Sequence, residues 1–228
     1  MKYRNRETEY YFWISFAMAL MTNRLVFPIG HALSQGRPHT SLALPVDALI
    51  PFLPWTISIY FSCFAFWFAV YRLVAGLSRE EADRFFCANL LSKGFCLLFF
   101  VFFPTTIERP VLGNSSIWEA LVHFLYRFDT PDNLFPSVHC LIAWLCWVGI
   151  RRNRKISLPW RVSALVMALA VCISTLTLHQ HVLADVFGGI LLCEICWLIA
   201  GISALRNLYT RFADCLIQRL QALFPFPS

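Results

Sequence analysis

Positions 174–189 read STLTLHQHVLADVFGG. His181 and Asp185 stand four residues apart, and on a helix residues i and i+4 share a face. Asp185 can then accept a hydrogen bond from one imidazole nitrogen of His181. That fixes the tautomer and leaves the other nitrogen as a lone-pair nucleophile. The carboxylate also stabilises the cation that forms when the imidazole attacks. This is the orienting logic of a catalytic triad, with histidine in the attacking role. A second histidine, His139 in FPSVH, can supply the proton for a leaving oxygen.

Each element also has a plainer reading. Pro136 and Ser137 suit the first positions of a helix. Asp185 can cap the helix that follows it, and Arg109 can snorkel from a membrane interface. Gly188 and Gly189 read as helix-packing contacts. A zinc site from His139, His179, His181 and Asp185 competes. However, His179 and His181, two apart, do not face each other on a helix, and no H-E-x-x-H pattern is present. No metal and no cofactor is therefore expected. The plainer readings weaken when all the elements must occur together on one face.

The elements that position these residues are membrane spans. The chain has 228 residues, 58% of them hydrophobic and only 14% charged. A soluble domain of this size carries about a quarter charged residues. The apolar residues come in blocks of the roughly 20 residues that a helix needs to cross a bilayer. The expected fold is all-α: a polytopic membrane protein, one six-transmembrane-helix bundle, forming a single integral membrane domain over residues 1–228. The six segments fall near 10–30, 50–70, 85–103, 137–150, 158–178 and 182–205, and the fourth takes 134–136 into its first turn. The first block is too long for a cleaved signal peptide and lacks the small-residue cleavage site.

Basic residues orient the spans. With a cytoplasmic N-terminus, the inner side carries Lys2, Arg4, Arg6, Arg72, Arg79, Arg84, Arg151, Arg152, Arg154, Lys155, Arg161, Arg206, Arg211 and Arg219. The outer side carries Arg37, Arg109 and Arg127. A positive-inside bias this lopsided makes the net charge of +6 a topology signal, not a nucleic-acid footprint. Both termini are expected in the cytoplasm. The outer loops then hold Glu108, Arg109, Arg127, Asp129, Asp132, Ser137 and His139 after the third span. After the fifth they hold Ser174, Thr175, His179, His181 and Asp185. Ionisable groups at such depth mark a functional site by default. The nine cysteines lie mostly in apolar spans, where cysteine acts as a small hydrophobe. The C-x-x-C of Cys193 and Cys196 lacks a redox-fold context.

These motifs resemble a known family, the type 2 phosphatidic acid phosphatase superfamily. FPSVH is similar to its Pro-Ser-x-His motif. STLTLHQHVLAD is similar to its third motif, with Ser174, His181 and Asp185 at the matching spacing. TTIERP resembles the end of the first motif through Arg109 and Pro110. VDALIPFLPWTISIYF resembles the second span of small bacterial members. The resemblance implies a six-helix membrane bundle and a phosphohistidine intermediate. His181 would be the nucleophile, Asp185 its orienting partner and His139 the acid and then the base. Arg109, Ser137 and Ser174 would bind phosphoryl oxygens.

Two positions depart from the pattern: Phe102 stands at the first-motif lysine and Thr175 at the third-motif arginine. His179 or Arg127 could substitute for the missing cations, and Thr175 is a further candidate phosphate ligand. The expected activity is hydrolysis of a lipid phosphate or diphosphate at the extracytoplasmic face of a bacterial plasma membrane. Candidate substrates are phosphatidic acid, phosphatidylglycerol phosphate and a polyprenyl diphosphate. The expected partners are that lipid phosphate substrate and membrane lipids, with no nucleic acid. A lipid phosphotransferase, of the kind that makes sphingomyelin or inositol phosphorylceramide, is the first alternative. A non-enzymatic transporter or scaffold on the same fold is the second.

Overall fold

The computed structural model describes residues 6–113 and 116–223. Of the described residues, 74% are helical. In chain order the helices are α1 (Arg6–Ser34), α2 (Ile57–Ala75), α3 (Arg79–Phe102), α4 (Ile117–Phe128), α5 (Val138–Ile150), α6 (Leu158–Thr177), α7 (Leu183–Ile199) and α8 (Ser203–Leu223). A 3-10 turn, Pro54–Thr56, leads into α2, and two short strands pair: β1 (Thr40–Ser41) and β2 (Thr105–Thr106).

Local signals account for several helix starts. Ser78 caps α3 and forms a capping box with Glu81. Ser116 accepts from the Glu119 N–H at the start of α4, and Ser137 does the same for Cys140 at the start of α5. Each such cap contributes about 1 kcal/mol to its helix.

Each of the six expected apolar segments coincides with a helix: α1, α2, α3, α5, α6 and α7. Among the described residues, four helices are long and apolar enough to cross a bilayer, within α1, α2 with its leading turn, α3 and α6. A bent α7–α8 pair makes a fifth. The structure corrects two boundaries. The sixth segment does not run to 205, because the chain turns by 89° between α7 and α8. Residues 134–136 are not the first turn of α5, which begins at Val138 after a cis Phe135–Pro136 peptide. At 13 residues, α5 is about 20 Å long. It is also the most enclosed helix, packed against α6, α7, α2 and α3. Leu141, Ala143, Cys146 and Ile150 on it are fully buried. By contrast, α6 and α7 expose Val166, Ile173, Phe187, Leu191 and Leu198, an apolar exterior suited to lipid. Apolar helices of this kind make the protein a multi-pass membrane protein.

The loops between α1 and α2, α3 and α5, and α6 and α7 gather at one end of the bundle. β1 and β2 run parallel there, with Thr40 opposite Thr105, and Thr106 bridges to Asp132. Thr105 is buried, and its hydroxyl accepts the N–H groups of Leu134 and Phe135 at 3.0 and 2.9 Å. Asp132 also pairs with His31 near the end of α1. The other end carries most of the arginines. Its centre is the buried Asp83, which takes hydrogen bonds from Tyr11, Arg79 and Thr210.

Candidate active site

The pair that the sequence singles out is formed, but not along one helix face: His181 precedes the extended Val182, and α7 begins only at Leu183. His181 Nδ1 lies 3.3 Å from Asp185 Oδ2, and the same oxygen accepts the Val182 N–H at 3.1 Å. The plainer reading of Asp185 as a helix cap is therefore also true, and one oxygen serves both purposes. The neighbouring position is tied as well: the Leu183 N–H donates to Asp47 from the loop before α2, at 2.8 Å. Asp185 is 1% exposed and His181 9%. Burial lowers the imidazole pKa of His181. The hydrogen bond and negative charge of Asp185 outweigh that burial, helped by Cys140 and Asp129, and hold the ring above its ordinary value. With Nδ1 engaged, Nε2 is the nitrogen left for chemistry.

The backbone around this pair is fixed by short hydrogen bonds. The N–H groups of Gln180 and His181 both donate to Thr175 O, at 3.0 and 3.2 Å. The Ser137 N–H donates to Asp185 O at 3.0 Å, which joins the start of α5 to the start of α7. The two glycines after Asp185 allow this approach. A Cβ at Gly189 would stand 2.5 Å from the Ser137 carbonyl oxygen, and one at Gly188 would stand 2.4 Å from the Phe135 ring.

His139, on the first turn of α5, faces α2. The Tyr60 hydroxyl lies 2.9 Å from its Nε2. Its ring is tilted against those of Tyr60 and Trp67, with centroids at 4.6 and 5.6 Å. Tyr60 is 2% exposed. Sequence reasoning did not single it out, because its partner His139 lies 79 positions away.

Arg109 is held where the loops meet. Its Nη1 donates to Asp129 O at 2.5 Å, its Nη2 donates to Gln180 Oε1 at 2.7 Å, and its guanidinium lies 4.3 Å from the centre of the Tyr126 ring. The Asp129 carboxylate is 3.8 Å from the same guanidinium. Burial raises the Asp129 pKa, while Arg109 and His181 work against that rise. Tyr126 continues the link, donating to Leu178 O at 2.6 Å. The loops after α3 and after α6 are thus joined through Arg109 and Tyr126.

The remaining expected ligands divide. His179 lines a cavity of about 360 Å³ together with His181, Asp47, Thr106 and Glu108. Its φ is 48°, a left-handed conformation uncommon for a residue with a side chain. Its Nε2 lies 3.2 Å from Ile50 O. Ser137, Ser174 and Thr175 are fully buried. The hydroxyls of Ser174 and Thr175 donate to carbonyls of their own helix, Val171 O and Cys172 O, both at 2.8 Å. Arg127 is exposed and lines a separate groove with Leu112, His123 and Phe124. Phe102, at the first-motif lysine position, is 74% exposed, so that position faces outward. Gln180 is the second residue that sequence reasoning passed over. Its signal was its place between two histidines. Among the described residues, no cluster of three or more His, Cys, Asp or Glu has the arrangement of a metal site.

Residues 103–208 match the family model of the PAP2 superfamily. It is the family that the motifs resemble. The matched segment contains Arg109, Ser137, His139, Ser174, His181 and Asp185. No curated protein and no solved structure gives a significant match to the chain. PAP2 members are phosphatases or phosphotransferases. The match therefore supports phosphoester chemistry, hydrolytic or transferring, in a membrane protein.

Proposed function

We propose that this protein is an integral membrane lipid phosphatase that works through a phosphohistidine on His181, at the extracytoplasmic face. The observation that carries the reading is the buried His181–Asp185 pair, at 3.3 Å across the start of α7. In the attack, the Nε2 lone pair of His181 forms a bond to phosphorus and the bond to the leaving oxygen breaks. Asp185 stabilises the positive imidazole that results. His139 gives the leaving oxygen its proton and then takes one from the attacking water, with Tyr60 holding the ring at its hydroxyl. Phosphoryl transfer depends mainly on positioning and charge stabilisation, and Arg109 is the cation that supplies the latter.

The setting supports a lipid substrate. The site lies at the loop end of an apolar bundle, where a headgroup phosphate meets the protein from the bilayer side. The extracytoplasmic assignment rests on the distribution of basic residues. The transferase alternative keeps one specific support: Phe102 and Thr175 replace two cations of the family pattern, so the site is less suited to a doubly charged monoester. The test is incubation of the purified protein with phosphate-labelled lipid, with and without an acceptor alcohol. Release of inorganic phosphate supports the phosphatase. Label appearing on the acceptor supports the transferase. No turnover of any phospholipid would sink both and leave the non-enzymatic scaffold.

A further inference from the structure

Among the described residues, six buried side-chain atoms have no hydrogen-bond partner, and three of them belong to the chain of contacts that runs from Arg109 through Gln180 to the His181–Asp185 pair: Arg109 Nε, Gln180 Nε2 and Asp185 Oδ1. Two of the three are donors. Gln180 is 1% exposed, and its orientation is settled by its neighbour. Arg109 has only donors to offer, so the amide oxygen of Gln180 must face it, as the 2.7 Å contact shows. The amide NH₂ is then the end left over. Its backbone is pinned beside that of His181, because both N–H groups share Thr175 O. Buried donors without acceptors are unfavourable. Two of them, on side chains bonded to each other and one on the residue before His181, suit an incoming anionic oxygen.

The charge around this point is small. One guanidinium faces it, shared with Asp129 at 3.8 Å. Asp185 Oδ2 is taken by His181 and Val182, and its unpaired Oδ1 adds negative charge that disfavours a doubly charged ligand. The two positions where the family resemblance puts further cations are unsuitable: Phe102 faces outward and Thr175 is sealed against Cys172 O and Cys140 Sγ.

We infer that Gln180 is a phosphoryl-oxygen ligand, an uncharged donor standing in for a missing cation, and that it suits the site to a singly charged phosphodiester. This rests on the reading that His181 handles phosphoryl groups, and within that reading it favours the transferase alternative over the release of inorganic phosphate. With a diester, the P–N bond to His181 forms as the P–O bond to the leaving alcohol breaks, and the leaving alkoxide takes a proton from His139. Water or an acceptor alcohol then attacks phosphorus, giving up its proton to His139, and the P–N electron pair returns to the imidazole.

The test uses the full chain in detergent with bis(nitrophenyl) phosphate as the diester and nitrophenyl phosphate as the monoester. Gln180→Glu is the informative variant. It keeps an oxygen toward Arg109, so the link between loops survives, but it replaces the free NH₂ with a carboxylate oxygen. Wild type should favour the diester in kcat/KM. Gln180→Glu should lose roughly a hundredfold on it, the scale of a hydrogen bond to a charged group, with an unchanged melting temperature. Gln180→Ala should lose about tenfold. In a parallel readout, dimethyl phosphate should raise the melting temperature of wild type but not of Gln180→Glu. Diester turnover within twofold of wild type in Gln180→Glu, or a wild-type preference for the monoester, overturns the inference and leaves the phosphatase reading standing. Binding of dimethyl phosphate that depends on Gln180, without any turnover, upholds the inference and sinks the enzyme. Neither binding nor turnover sinks both.

Discussion

Replacing Asp185 by asparagine separates the shape of the His181 pair from its charge. The variant should fold. Its amide oxygen can take over the Val182 N–H at 3.1 Å, and the Ser137 N–H bonds to the backbone carbonyl, which does not change. The charge effect can be sized from the geometry. At 3.3 Å and an effective dielectric of about 20, a carboxylate and an imidazolium attract by roughly 5 kcal/mol. Partial exposure of the ring trims this to about 3–5 kcal/mol. At about 1.4 kcal/mol per factor of ten, phosphorylation of His181 should slow by a hundred- to several-thousandfold. The pH dependence should move as well. Asp185 is a main cause holding the His181 pKa above its ordinary value of 6.5, and only the neutral ring attacks. In wild type, kcat/KM should fall as pH drops through that raised value. In Asp185→Asn, burial is left as the dominant effect, and the acidic limb should shift to lower pH. Stability follows the opposite sign. The protonated His181 contributes stability below the unfolded-state value, and this is lost as pH rises through the raised folded value. The assay is a pH series of single-turnover rates, with melting temperatures alongside. A variant that melts normally and turns over within fivefold of wild type, with an unmoved acidic limb, would refute the reasoning.

Three further outcomes are expected. Gly189→Ala forces a Cβ to 2.5 Å from the Ser137 carbonyl, a backbone atom that cannot rotate away. Overpacking of this kind costs about 1–3 kcal/mol. It should lower the melting temperature and, by parting α7 from the start of α5, reduce turnover about a hundredfold. Equal melting and activity in variant and wild type would contradict this. Tyr60→Phe removes the hydroxyl from His139 and should slow turnover of a lipid about two- to tenfold. The loss should shrink on a substrate with a nitrophenyl leaving group, which needs less protonation, and an equal loss on both would count against the acid role of His139. In a Cys215→Ser background, a cysteine at Val111 should react with an impermeant reagent on intact cells and one at Arg154 should not. The reverse pattern would place the site on the cytoplasmic side.

Much of this arrangement was legible in the sequence, for physical reasons that differ by element. The spacing of His181 and Asp185 marks the pair, but helical periodicity is not what joins them: His181 precedes the extended Val182, and Asp185 reaches back over the start of α7 as a cap. The apolar blocks gave the helices, since length and composition govern membrane insertion. The 89° turn after α7 was hidden, because apolar residues continue through 200–202 and hydropathy carries no angle. α4 was hidden for a related reason: its alternation of faces lies within a loop otherwise rich in polar and turn residues. Gln180 and Tyr60 were not singled out because each acts through contacts distant in sequence, 71 positions to Arg109 and 79 to His139. Nothing local marks such a pairing. Ser174 and Thr175 show the reverse: their residue types suit phosphate binding, yet the helix carbonyls behind them take their hydroxyl protons.

The central claim is that His181 carries the phosphoryl group, and acid-quench labelling tests it most directly. Wild type, His181→Ala and His139→Ala are mixed briefly with phosphate-labelled nitrophenyl phosphate, quenched, and assayed for a covalent label that is acid-labile and base-stable. Wild type should show the label. His139→Ala should accumulate it, because a good leaving group needs little acid while water attack lacks its base. His181→Ala should show none. A normal level of phosphohistidine in His181→Ala would place the nucleophile on another histidine and contradict the account.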